Sequence, residues 1–135
     1  MSNNQFEPSV YDKALVNGIS YGSSFFRQKK VLDIGTGKGQ IARLIKEKGA
    51  EVFVCEPDLD SLTQAIESGN VEASRSYQLK AQELPENLHG QFDVITVFKF
   101  NVDYNEFNEF FKKLPLLLKP SGTVFIHFAD QEYCQ

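Results

Sequence analysis

The sequence has 135 residues, of which 41% are hydrophobic, with 14 Lys and Arg against 18 Asp and Glu and a net charge of -4. This size predicts a single domain over residues 1–135, and the charge lacks the dense basic stripe that nucleic-acid-binding proteins carry. Two cysteines, a start without a signal peptide, and no apolar run near the roughly 20 residues that cross a bilayer lead us to expect a cytoplasmic protein away from membranes.

Strands and helices alternate in the predicted elements from Lys30 onward, which is typical of βαβ units around a mostly parallel sheet. Residues 1–29 form a leader that is helical in part between residues 10 and 26. A first strand at residues 31–34 precedes three glycines and an amphipathic helix that stops at Gly49. A second strand follows at residues 51–55.

The second half of the chain continues the same alternation. Asp58 is the expected N-cap of a helix ending near Gly69. Three further strands are predicted at residues 76–79, 92–98 and 123–128, the middle one being the apolar run FDVITVF. Between the last two we expect a helix that begins with a capping box of Asp103 and Glu106, is ended or kinked by Pro115, and is followed by a turn at residues 120–122.

The stretch VLDIGTGKG at residues 31–39 places Gly35, Gly37 and Gly39 after a buried strand, with Asp33 two residues before the first of them. Glycines at this turn let the backbone approach a ligand closely. A dinucleotide fingerprint requires a third glycine at position 40, where the sequence has Gln40. The negative charge of Asp33 favours a ligand with an ammonium or sulfonium group over a pyrophosphate.

VLDIGTGKG resembles the first motif of the class I S-adenosylmethionine-dependent methyltransferases, and other segments are similar to that family in the same order. Glu56 ends the second strand, AQELP follows the third, and FDVITVF and LKPSGTVFI resemble the fourth and fifth strands. The resemblance implies an α/β three-layer sandwich with a Rossmann-like, mostly parallel sheet in the order 3-2-1-4-5, truncated after strand five.

The resemblance also implies S-adenosylmethionine as cofactor and an acid, Glu56, that accepts hydrogen bonds from the cofactor ribose. An acid at that offset reads the ribose of nicotinamide cofactors too, so Glu56 alone does not choose between them. Lys80 stands where the family often has an acid near the adenine, and the amide of Gln82 can replace that contact. The implied cofactor-binding residues are Asp33, Gly35, Gly37, Gly39, Glu56, Pro57, Ala81, Gln82 and Phe98, and no metal is implied.

Methyl transfer from a sulfonium needs alignment and, for a hydroxyl or amine acceptor, one base. His127 is the candidate base, and Lys99 and Asn101 are candidates for orienting the acceptor, with a structural or solvated role as the alternative for each. Tyr11 resembles an aromatic residue that covers the cofactor in some family members. The segment KFNVDY after strand four lacks the D/N-P-P-Y motif of enzymes that methylate nucleic-acid amino groups.

These patterns predict a methyltransferase acting on a small-molecule acceptor, with two alternatives. The family normally continues past strand five through another helix and two strands, so the chain can instead be a non-catalytic cofactor-binding or regulatory partner, or part of a longer protein. A nicotinamide-dependent oxidoreductase is disfavoured by Gln40 and Asp33. In a sheet truncated after strand five, the apolar fifth strand, TVFIHF, would be an open edge, which predicts pairing with a second copy or with a partner subunit.

Overall fold

A computed structural model of the chain describes residues 4–19, 24–100 and 102–128. Within these residues, five parallel strands form one sheet in the order β3-β2-β1-β4-β5, as the sequence predicts. The strands are β1 (Lys30–Ile34), β2 (Glu51–Cys55), β3 (Ser76–Tyr77), β4 (Phe92–Phe100) and β5 (Leu118–Phe128), and the helices are α1 (Val10–Ile19), α2 (Gln40–Glu47), α3 (Leu59–Glu67) and α4 (Phe107–Leu117).

Helices cover both faces of the sheet, which confirms the three-layer sandwich. Val16 of α1, Ile45 of α2 and Leu62 of α3 are buried in the core on one face. Phe110 and Leu114 of α4 are buried in the core on the other face. The inner strands therefore need apolar residues on both sides, and this explains their nearly uninterrupted hydrophobic sequences.

Two predicted helix boundaries are confirmed by the backbone. The side chain of Asp58 accepts a hydrogen bond of 2.9 Å from the backbone N–H of Ser61, which is the expected N-cap of α3. After α2, Gly49 adopts a φ of 96° and its N–H donates to the carbonyl of Lys46. Glycine adopts this left-handed conformation without a Cβ penalty, so α2 ends where the sequence indicated.

The predicted turn at residues 120–122 is wrong, because these residues lie inside β5 as a bulge. Leu118 pairs with Phe92 and Thr123 with Val94, so β5 advances five residues while β4 advances two. A Cβ on Gly122 would lie 2.7 Å from the side chain of Leu118 and 3.1 Å from the carbonyl of Phe92, which explains the glycine. Pro115 lies in the last turn of α4, which ends two residues later at Leu117.

The chain changes direction across the sheet between β1 and β4. β1 lies in the centre, with β2 on one side and β4 on the other. The loops after these strands therefore separate at the carboxyl end of the sheet and leave a crevice there, which is where open α/β sheets bind their ligands.

Candidate functional site

A cavity of about 500 Å³ opens at the carboxyl ends of β1, β2 and β4. Two short 3-10 turns, Ala81–Glu83 and Tyr104–Glu106, flank it on the α4 side of the sheet. Its volume lies within the usual range for a small-molecule site. The lining residues are Ile34, Gly35, Cys55, Glu56, Pro57, Leu79, Lys80, Ala81, Gln82, Val97, Phe98, Val102, Asp103, Glu106 and Phe110.

The three glycines of the loop after β1 all have positive φ, at 69°, 59° and 84°, but they serve two purposes. A Cβ built on Gly35 or Gly37 would meet no described atom within 4 Å, so both leave room for a ligand to approach the backbone. A Cβ on Gly39 would lie 2.9 Å from Val71 and 3.0 Å from Asn70. Gly39 therefore allows close packing against the turn after α3.

Glu56 links this loop to the end of β2. One carboxylate oxygen accepts a hydrogen bond of 2.8 Å from the backbone N–H of Gly37, and the other accepts one of 3.0 Å from the N–H of Asp58. The parallel register, with Ile34 opposite Cys55, brings these two strand ends together. A carboxylate has about four acceptor sites, so Glu56 keeps capacity for ligand hydroxyls on its cavity side.

A second polar cluster in the cavity lining consists of Lys80, Gln82 and Glu106. The carboxylate of Glu106 accepts hydrogen bonds from the ammonium of Lys80 at 2.7 Å and from the side-chain amide of Gln82 at 3.0 Å. The hydrogen bond and the charge of Glu106 raise the pKa of Lys80. The predicted capping box of Asp103 and Glu106 is therefore wrong: the Asp103 side chain makes no cap hydrogen bond, and the Glu106 carboxylate binds Lys80 and Gln82 instead.

A family described as a methyltransferase domain matches residues 12–133 of this chain. The chain belongs to the methyltransferase domain family. Its resemblance to class I S-adenosylmethionine-dependent methyltransferases is thereby confirmed.

The chain is also similar to individual methyltransferases. It is 32% identical over 102 residues to the ubiquinone biosynthesis O-methyltransferase of Pseudomonas aeruginosa, covering 73% of this chain and 43% of that protein. A corresponding enzyme of Acinetobacter baumannii is 31% identical over 115 residues, covering 82% of this chain and 48% of the other.

Among solved structures, a S-adenosylmethionine-dependent methyltransferase from Archaeoglobus fulgidus superposes with a TM-score of 0.68 at 22% identity. The match covers 85% of this chain and 50% of that protein. At this identity the likeness shows the fold alone. The methyltransferase domain described here thus spans about half the length of the relatives it matches.

Most of the residues predicted to bind the cofactor lie together at the cavity of this methyltransferase domain: Gly35, Glu56, Pro57, Ala81, Gln82 and Phe98. Cys55 and Val97 also line the cavity but were not predicted to do so, although their positions at the strand ends could have indicated it. Glu106 was missed because nothing in its local sequence indicates a partner 26 residues away. Burial raises the pKa of Cys55 to about 12, so its thiol stays protonated at neutral pH.

The acceptor-side candidates are only partly described. Asn101 and the side chain of Lys99 lie outside the described residues. His127, on β5, lies outside the cavity lining, and its Nε2 is 2.9 Å from the hydroxyl of Tyr11 on α1. The two rings meet edge to face, with centroids 5.8 Å apart. The Nδ1 atom of His127 is buried and has no hydrogen-bond partner within the part of the chain that the structure describes.

The described ranges contain no cluster of three or more His, Cys, Asp or Glu side chains suited to a metal ion. None of the helices in these ranges is both long enough and apolar enough to cross a membrane.

Asp33 lies beneath the glycine loop and outside the cavity lining, only 2% exposed. Its carboxylate accepts hydrogen bonds from the hydroxyls of Thr96 at 2.7 Å and Thr36 at 2.8 Å. Desolvation raises the pKa of Asp33 to about 6, although both threonine hydrogen bonds oppose the shift, and the nearby charge of Glu56 adds to it. Asp33 thus fixes the loop from below, and any effect of its charge on a ligand acts through this layer.

This burial predicts that Asp33 makes stability depend on pH. Because its pKa in the folded state, about 6, lies above the value of 3.8 for an exposed Asp, the folded chain binds the proton more tightly. The resulting stabilisation is fully present below pH 4 and is lost as the pH rises through 6, by about 3 kcal/mol. Asp33→Asn lacks the titrating carboxyl. Its free energy of unfolding relative to that of the unaltered protein should therefore rise by about 3 kcal/mol between pH 4 and 7.

Urea unfolding from pH 4 to 8 measures the difference. Thr96→Val provides a second variant, because it removes a hydrogen bond that lowers the pKa of Asp33 and should move the drop in stability to higher pH. Parallel pH profiles for the unaltered protein and Asp33→Asn would contradict the assignment.

Proposed function

We propose that the chain binds S-adenosylmethionine in the cavity at the carboxyl ends of β1, β2 and β4 and catalyses methyl transfer to a small-molecule acceptor. The observation that carries the proposal is the Glu56 carboxylate, 2.8 Å from the Gly37 N–H, beside two glycines with open space above them. A carboxylate accepts hydrogen bonds from a ribose diol, and the open backbone admits the rest of the ligand.

The charges around the cavity fit a cationic ligand. Glu56, Asp103 and Glu106 line it against a single lining cation among the described residues, Lys80, which is itself paired with Glu106. When bound, S-adenosylmethionine supplies an activated methyl group on a positively charged sulfur. The chain's own contribution is then to hold this donor, align the acceptor and exclude water.

Gln82 is the residue we propose for the adenine. Its amide nitrogen donates to Glu106, which fixes the orientation of the side chain and leaves the amide oxygen available as an acceptor. An exocyclic amino group of adenine is a matching donor. Ala81, directly before Gln82, and Pro57 also line the cavity.

The first test is the choice of cofactor. In calorimetric titrations, S-adenosylmethionine and S-adenosylhomocysteine should bind and NAD should bind far more weakly. Glu56→Gln keeps the shape of the side chain but removes the charge of the acceptor, so affinity for S-adenosylhomocysteine should fall about tenfold to a hundredfold.

Glu72→Gln is the matched control, since Glu72 is exposed and pairs with Arg75 on the surface. Its affinity should equal that of the unaltered protein. Equal affinities for Glu56→Gln and the control, or tight binding of NAD, would end the proposal.

For the acceptor side, we propose that His127 is the general base and that Tyr11 orients its imidazole. The hydrogen bond of 2.9 Å between them holds the ring, and the buried Nδ1 has no hydrogen-bond partner among the described residues. Lys99 and Asn101 remain proposed acceptor-orienting residues, at and just after the end of β4. The names of the curated relatives make a hydroxyl compound the first acceptor to test.

This proposal predicts a split between turnover and cofactor affinity. His127→Asn should lower turnover of a hydroxyl acceptor by about 10²-fold or more, and Tyr11→Phe should lower it less, because only the orienting contact is lost. Both should bind S-adenosylhomocysteine within twofold of the unaltered protein. Full turnover in His127→Asn would remove it as the base, and cofactor binding without any turnover in the unaltered protein would favour a non-catalytic partner.

We also propose that another strand pairs with the free edge of β5. In the described sheet β5 is hydrogen-bonded to β4 alone, and open edges tend to pair with other chains. A second copy of the chain is the occupant we favour, and a partner subunit or further sequence of a longer protein would satisfy the same edge.

Light scattering of the purified chain should therefore give a mass above that of the monomer. Ile126 packs against the core, so Thr123→Lys, at an exposed position of β5, is the better variant to weaken pairing. Thr63→Lys on exposed α3 is the control for the added charge and should leave the mass unchanged. A monomer in the unaltered protein would contradict self-association.

A further inference from the structure

The segment before α1 is attached to the glycine loop by side chains that the ligand chemistry does not use. The ammonium of Lys38 donates to the side-chain oxygen of Gln5 at 2.8 Å, and the side-chain amide of Gln40 donates to the carbonyl of Gln5 at 2.6 Å. The Lys38 ammonium also lies 5.7 Å from the centre of the Phe6 ring. We call residues 4–19, the part of the N-terminal leader that lies before the described gap, the docked leader, and "leader" below refers to these residues.

Asn70 joins this leader to the loop from inside the protein. It is 2% exposed and follows α3. Its single side-chain nitrogen donates to the carbonyl of Phe6 at 2.7 Å and to the carbonyl of Lys38 at 2.9 Å. Both protons of one amide are thus used on two segments that are 32 residues apart in the sequence, and losing either bond would leave a carbonyl poorly satisfied.

Lys38 lies directly after Gly37, whose N–H binds Glu56. The same turn is therefore held from two sides: Asn70 binds the carbonyl of Lys38, and Glu56 binds the N–H of Gly37. Gly39 completes the contact, because its lack of a Cβ lets the loop approach Asn70 closely. A shift of the Lys38 carbonyl would displace the neighbouring Gly37 backbone.

The part of the leader that forms α1 is also held by hydrogen bonds. Ser9 and Asp12 exchange reciprocal hydrogen bonds at the start of α1, at 3.0 and 2.9 Å. Two residues from Ser9, Tyr11 contacts His127 on β5. The leader thus connects the glycine loop with the edge strand on the helical face formed by α1, α2 and α3.

We infer that Asn70 is a positioning residue for cofactor binding, which fixes the Gly37 turn by holding the Lys38 carbonyl and the docked leader together. The inference rests on the proposed function, since it concerns the same cofactor. It assigns the leader a part in cofactor affinity, although Gln5 and Phe6 lie outside the cavity lining.

The experiment uses two isosteric variants and one control. Asn70→Asp removes both donated hydrogen bonds, and Gln40→Glu removes the bond to Gln5 at a half-buried position where the fold should tolerate the change. Gln91→Glu makes the same chemical change as Gln40→Glu at the amino end of β4, beside Lys30. Thermal unfolding checks that each variant is folded.

Hydrogen exchange of the ligand-free protein gives the first readout. Exchange at residues 5–6 and 36–39 should rise in Asn70→Asp and Gln40→Glu and stay unchanged in Gln91→Glu. Titration with S-adenosylhomocysteine gives the second. Loss of one neutral hydrogen bond predicts an affinity about threefold to tenfold lower in Gln40→Glu, with a larger loss in Asn70→Asp.

Unchanged exchange at the loop in both variants would overturn the inference, and so would raised exchange with unchanged affinity. If the unaltered protein bound no S-adenosylhomocysteine, the proposed function would fail instead. The positioning of the loop by Asn70 would then be tested by hydrogen exchange alone. Faster exchange at residues 36–39 in Asn70→Asp would support it, and unchanged exchange would overturn it.

Discussion

The carboxylate of Asp33, buried between β1, β4 and the glycine loop, is the constraint on which the rest of the site depends. Burying a carboxylate is costly unless hydrogen bonds replace its water, and here the hydroxyls of Thr36 and Thr96 offset part of that cost. Thr96 lies opposite Asp33 in the parallel register of β1 and β4. A slip of that register would break the contact, so this one group ties the centre of the sheet to the turn above it.

The loop held in this way is contacted by three other parts of the chain. Glu56 binds its Gly37 N–H from the end of β2, Asn70 binds its Lys38 carbonyl from the turn after α3, and the leader lies against Lys38 and Gln40. Each of these hydrogen bonds has a backbone atom as one partner, so a shift of the loop backbone would disturb them together. The result is a turn that is ordered by the protein itself and presents Gly35 and Gly37 toward open space.

Much of the fold and part of the site could be predicted because they follow from local patterns. β-branched runs predicted β1, β2 and β4, the Asp58 cap predicted the start of α3, and the glycine loop with Glu56 carried the family resemblance that implied the strand order. The bulge in β5 was missed because Pro120, Ser121 and Gly122 are typical of a turn, and only pairing with β4 makes them part of a strand. Glu106 was assigned to a helix cap on spacing alone, although the donors that bind it, the Lys80 ammonium and the Gln82 amide, come from a different turn.

Local sequence patterns were enough to predict the alternation of strands and helices, the glycine loop with its preceding acid and the acid after the second strand, because each depends on residues within a few positions of one another. The folded chain was needed to show that Asp33 lies beneath the loop, that Gly39 serves packing, and that Gln40 and Asn70 hold the leader. These roles depend on contacts between residues 31 to 64 positions apart, and the strand register and helix packing that bring such residues together are properties of the whole fold.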